Sequence, residues 1–107
     1  MAVQLQDALD YMSIDYADDR IRSKVNRAMQ AATMRLYGAI GDDVNTYLPG
    51  DERVDQLLLI YTRENYDAEN LTEKEIRAIK HLREDLEPQL RRELSRLKLE
   101  AAGGVTS

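Results

Sequence analysis

Carboxylates are the groups in this sequence best placed to do chemistry. Asp15, Asp18 and Asp19 fall close together, and Asp42 and Asp43 are adjacent. Such clusters can hold a divalent cation. Neither follows the Asp-x-Asp-x-Asp-Gly calcium loop, however, and no second set of His or carboxylates stands at a ligand spacing. Acids ahead of a helix have a simpler role, because they accept from its free amides and face the positive end of its dipole. Asp18 and Asp19 are therefore expected to start a helix. His81 is the single histidine and there is no Cys, so disulfides, thiolate metal sites and Cys nucleophiles are excluded together. No Gly-x-Ser-x-Gly elbow, phosphate loop or dinucleotide fingerprint occurs, and "GAIG" at Gly38 to Gly41 has the wrong spacing. No enzyme, cofactor or metal is expected.

The elements that would position these acids read as helices. Leu5, Ala8, Leu9 and Met12 recur at helical spacing, and Ser13-Ile14-Asp15 ends that first helix. A second helix runs from about Asp18 to Tyr37, with Ile21, Val25, Ala28, Ala32 and Leu36 on one face and Gly38 as its stop. A third, Arg53 to Tyr66, carries Val54, Leu57, Leu58 and Tyr61 at i, i+3, i+4, i+7, and Leu59 and Ile60 widen its apolar arc. The fourth opens on "TEKE", where Thr72 and Glu75 form a capping box, and continues through Ile76, Ile79, Leu82 and Leu86. Pro88 removes a donor and collides with the carbonyl four residues back, at about 3 kcal/mol inside a helix. A break near Glu84 to Glu87 is expected, with Pro88 opening a last helix to about Leu99. Between the second and third helices, Gly38 to Glu52 is a long loop with both turn formers and apolar residues, and such loops serve as contact surfaces or fold back to cap a core.

The chain has 107 residues, 43% hydrophobic and 33% charged, with six Tyr and neither Phe nor Trp. That length fits one domain with one modest core, and the palette is that of an all-α protein. The expected architecture is a small bundle of four to five helices. Residues 1–87 form the body, and residues 88–107 form a C-terminal amphipathic docking helix and tail within a single domain. A net charge of −5 argues against non-specific nucleic-acid binding, which relies on Lys and Arg neutralising phosphates. The first residues lack the basic-then-apolar pattern of a leader, and the longest apolar run, Leu57 to Tyr61, is far too short to span a bilayer. A soluble cytosolic product without membrane contact is expected.

The order of these features resembles a known family. The opening "LQDALDYMSID", the acidic start and Tyr-Gly end of "DDRIRSKVNRAMQAATMRLYG", and the apolar helix with a polar end in "VDQLLLIYTRENYDAEN" are similar to the head-to-tail connectors of tailed bacteriophages, also labelled putative DNA-packaging proteins. The likeness covers Leu5 to Asn70, and the charged helix with Pro88 departs from it. The resemblance implies a structural virion protein that forms a homo-oligomeric ring, dodecameric in mature particles, after assembly in the host cytoplasm. The ring would sit beneath the portal protein at one vertex, extend the channel for genomic DNA without reading its sequence, and carry a stopper or tail-completion protein.

Three surfaces are expected to serve that role. Ala28, Ala32, Leu57 and Tyr61 would pack subunits. Asp42, Asp43, Tyr47, Asp51 and Glu52 would face the channel or the tail. Leu90, Leu94 and Leu97, flanked by Arg91, Arg92 and Arg96, would dock on the portal. The alternative is a small regulatory or antitoxin-like binding module acting through its C-terminal amphipathic helix.

Overall fold

The computed structural model describes residues 3–103, and among them every regular element is helical. The order is α1 (Leu5–Tyr11), α2 (Asp19–Ala39), α3 (Val44–Tyr47), α4 (Glu52–Asp67), a 3-10 turn (Ala68–Asn70) and α5 (Glu73–Gly103). Local chemistry sets the starts. Asp18 Oδ1 accepts from the amide of Ile21 at 2.8 Å, so Asp18 caps α2, as its position implied. The capping box also forms: the Glu75 amide donates to Thr72 Oγ1 at 3.1 Å, and the Thr72 amide donates to Glu75 Oε1 at 3.2 Å. After α1 the chain turns through Ser13, a non-glycine residue at φ 57°.

α2, α4 and α5 form the body. Ala32, Leu36, Leu57, Ile60, Tyr61 and Leu90 are buried together in its main core. A smaller cluster of Ala8, Leu9 and Val25 docks α1 against the first half of α2. On α2, Ala32 is buried in one core with Leu57, Ile60 and Tyr61 of α4, where its methyl leaves room for the two helices to pack closely. Charged pairs then hold α5 along its length. Glu75 pairs with Arg63, Arg83 with Glu64 at 3.3 Å, Glu93 with Arg53 at 2.5 Å, and Lys98 with Asp43 at 2.8 Å.

Three boundaries differ from the sequence reading. The expected break at Glu84 to Glu87 is absent, and α5 passes through Pro88 as one 31-residue helix. Burial explains this: Ile79 and Leu86 before the proline and Leu90 and Leu94 after it lie on one core, so breaking the helix would expose one half of the stripe. The carbonyl that loses its partner belongs to Glu84, an exposed residue that water can serve. The docking segment from Pro88 onward is accordingly continuous with the body. Gly38 likewise does not stop α2, which runs to Ala39 with the Ile40 amide bonded to the Leu36 carbonyl at 2.9 Å. The loop from Gly38 to Glu52 is broken by α3, whose Val44 is buried, with Leu48 just behind it. It folds back onto the core. Of the expected tail, Ala101 to Gly103 are helical, and residues 104–107 lie outside the described residues.

Candidate functional site

The distal half of α5 and the loop it holds carry the densest polar arrangement of the expected site residues. Arg53 lies at the centre. Its amide donates to Asp51 Oδ1 at 2.8 Å, its guanidinium grips the same carboxylate through Nε at 3.1 Å and Nη2 at 2.7 Å, and Nη2 also reaches Glu93 at 2.5 Å. The hydrogen bond from the Arg53 guanidinium holds the Asp51 carboxyl below its ordinary value. Asp43 is held down in the same way, chiefly by its hydrogen bond from Lys98. Its second oxygen, Oδ1, is out of solvent and has no hydrogen-bond partner among the described residues. Arg91 Nη1 approaches the Ala39 carbonyl at 3.4 Å, at the end of α2.

Gly41 fits between these groups. It has φ +148°, and a Cβ there would stand 2.9 Å from Leu94 Cδ2 and 3.0 Å from Asp43 Oδ1. Replacing Gly41 with alanine is expected to destabilise the fold by about 1–2 kcal/mol through backbone strain and this clash. The urea midpoint measures it, and an unchanged midpoint would mean that the loop does not rest on α5.

Acid should loosen the same region. With folded-state values below the ordinary aspartate value of 3.8, Asp43 and Asp51 bind fewer protons folded than unfolded. Their stabilisation is therefore complete above that value and is lost as pH falls through the lowered folded-state values. Asp51→Asn should flatten the acid limb of the stability profile, and an unaltered limb would refute the assignment.

A second polar group lies inside the bundle, across α2, α4 and α5. The hydroxyl of buried Tyr61 donates to Glu87 Oε1 at 2.6 Å, and the Arg35 guanidinium lies 4.3 Å from the ring centre. Arg35 Nη1 donates to Glu64 Oε1 at 3.3 Å, and Arg83 Nε sits 3.3 Å from that oxygen as an ion pair without hydrogen-bond alignment. Burial first, then the bond to Glu87, pushes the Tyr61 hydroxyl well above the ordinary tyrosine range. Arg35, Glu64, Arg83 and Glu87 were not singled out from sequence, because their partners lie on other helices.

The expected site residues divide into two sets. Leu90 and Leu94 are 0% and 3% exposed in the chain's own core, so neither is available to dock on another protein in this fold. Leu97 is partly buried beside them, while Arg91, Arg92 and Arg96 are exposed. Ala28, Ala32, Leu57 and Tyr61 are buried within the chain, so none of them is available to pack another subunit in this fold. Asp42 and Glu52 are exposed, and Asp43, Tyr47 and Asp51 are half-buried. No group of three or more His, Cys, Asp or Glu among the described residues could hold a metal ion, and no described helix is long and apolar enough to cross a membrane.

Sequence reasoning missed the exposed apolar residues Tyr16 and Leu99, at 78% and 72% exposure. Leu99 lines an open groove of about 670 Å³ with Arg91, Arg92, Ser95 and Arg96. The signal for Leu99 was present: it falls off the Leu90, Leu94, Leu97 stripe by the 3.6-residue period. No family model, curated protein or solved structure matches this chain.

Proposed function

We propose that this chain is a structural virion protein, a head-to-tail connector subunit that assembles as a ring under a phage portal, extends the DNA channel and joins capsid to tail. The observation that carries this reading is the pair of unlike free surfaces on one elongated helical body of 54 × 29 × 18 Å. One surface is acidic and aromatic, around Asp15, Tyr16 and Asp19; the other is basic and apolar, around Arg92, Arg96 and Leu99. A subunit in a ring needs two different faces, because each copy meets one neighbour with each. The three segments on which the resemblance to connectors rests fold chiefly as α1, α2 and α4. A net charge of −5 suits a channel wall, since acidic groups repel the DNA backbone and let it slide. Exposed Asp42 and Glu52 are the loop groups offered to that channel or to the tail-side protein.

An antitoxin-like module acting through its last helix would need that helix free. Here Leu90 and Leu94 are committed to the core, which takes them from an antitoxin-like contact and from portal docking alike and leaves Leu99 and the arginines as the surface either reading would use.

The test is mass and shape of the purified chain, alone and mixed with portal particles, by light scattering and negative-stain microscopy. Rings, or a new layer of density beneath the portal, are expected. A monomer that ignores portals would overturn the proposal.

A further inference from the structure

The groove on the distal half of α5 has a basic and apolar lining to which no other described element contributes. Arg92 makes no ion pair among the described residues, and Leu99 lies open beside it. Arg96 is held by Glu100 at 2.7 Å within the helix, so one carboxylate already shares this surface. The groove calls for a ligand with an aromatic or apolar anchor flanked by several carboxylates. Guanidinium groups stack on aromatic rings as well as pairing with acids.

One described segment of the chain has that chemistry. Asp15-Tyr16-Ala17-Asp18-Asp19 joins α1 to α2. Its backbone is held at both ends, by the Ile14 amide on the Leu9 carbonyl at 2.9 Å and by the Asp18 cap. Tyr16 points outward at 78% exposure, with Asp15 and Asp19 exposed on either side. Arg22 is turned back onto the Ala17 carbonyl at 3.2 Å. A tyrosine presented on a fixed backbone loses little conformational freedom on binding, which suits it as an anchor.

The segment cannot reach the groove of its own chain. Asp18 caps the first turn of α2, whereas Arg91 approaches the carbonyl of Ala39 at its last turn. The 21 residues of α2 separate them by about 30 Å at 1.5 Å per residue. A second copy can supply what the first cannot deliver to itself.

We infer that the two surfaces join copies of this chain head to tail, with Tyr16 of one copy seated in the α5 groove of the next beside Leu99. Asp15 and Asp19 pair there with the arginines at positions 91, 92 and 96. The inference rests on the connector reading and assigns the contact between neighbouring subunits. Each added copy leaves one acidic segment and one groove free, so the contact closes into a ring if the rotation per subunit divides the circle.

The test compares self-association of the full chain and its variants by sedimentation over a concentration series, and ring density on portal particles by microscopy. Tyr16→Ala and Arg92→Glu are each expected to weaken association about tenfold or more. Asp15→Arg should do the same, and the paired Asp15→Arg/Arg92→Glu chain should recover most of the loss. All three positions are exposed, so circular dichroism and thermal midpoint should stay at the parent values. Rings that form equally well with Tyr16→Ala and Arg92→Glu would overturn this inference while leaving the connector reading intact. Variants that keep their rings but no longer join the portal would overturn it in favour of portal docking at the groove. A parent chain that never associates, alone or on portals, would overturn both. If Arg92→Glu alone acts, and acts by abolishing retention of a DNA oligonucleotide, the groove is a nucleic-acid surface and the inference fails.

Discussion

Leu90→Ala is expected to destabilise the protein by roughly 2–5 kcal/mol, the range for emptying a fully packed leucine site. Leu90 is 0% exposed and lies in one core with Leu36, Leu57 and Tyr61, so truncation removes its transfer energy and leaves a cavity among side chains from α2 and α4. The loss is large against a usual total of about 5–15 kcal/mol for a domain. Leu99→Ala is the control, because Leu99 is 72% exposed and its truncation should fall within about 0.5 kcal/mol. Urea unfolding with an unchanged m value measures both. A Leu90→Ala chain as stable as its parent would mean that the distal half of α5 is undocked, and would return Leu90 and Leu94 to the pool of partner-binding residues.

Pro88→Ala should move stability the other way. A proline inside a helix is about 3 kcal/mol less favourable than alanine, through its missing N–H and its ring clash. Removing it also frees the unfolded chain, which gives back about 0.4–1 kcal/mol. The net expectation is a gain of about 2 kcal/mol, or about 10 °C in thermal midpoint for a domain of this size. The benefit arises only if α5 is regular on both sides of the substitution. A neutral or destabilising result would show that the helix is interrupted at Pro88 in solution.

The same proline marks where sequence reasoning stopped. Within one helix, spacing, caps and charge were legible: Asp18, the Thr72/Glu75 box and the stripe through Leu57, Leu58 and Tyr61 stand where the pattern put them. Pro88 and Gly38 were misread because their local penalties are visible in sequence, whereas the burial of Leu90, Leu94 and Ile40 that outweighs them belongs to the tertiary fold. α3 has four residues, too few for a period to show, and it forms because Val44 and Leu48 bury. The group of Tyr61, Arg35, Glu64, Arg83 and Glu87 spans three helices, so no local signal announced it. Tyr16 became conspicuous only when the fold left it uncovered, whereas the place of Leu99 off the leucine stripe was legible in the spacing.

The four charged pairs along α5 have a bearing on chain direction. From its first turn onward the helix offers Glu75, Arg83, Glu93 and Lys98 to Arg63, Glu64, Arg53 and Asp43, so its sign alternates with distance. Individually, such half-exposed pairs contribute only about 0–1 kcal/mol. Turned end for end, the helix would bring Lys98 to Arg63, Glu93 to Glu64, Arg83 to Arg53 and Glu75 to Asp43, four like-charge encounters in place of four attractions. A leucine stripe packs almost equally well in either sense. Within one chain the two-residue link between the 3-10 turn and α5 already imposes the sense of the helix, and the charges agree with it: they penalise the reversed packing that an untethered α5 from another chain could attempt.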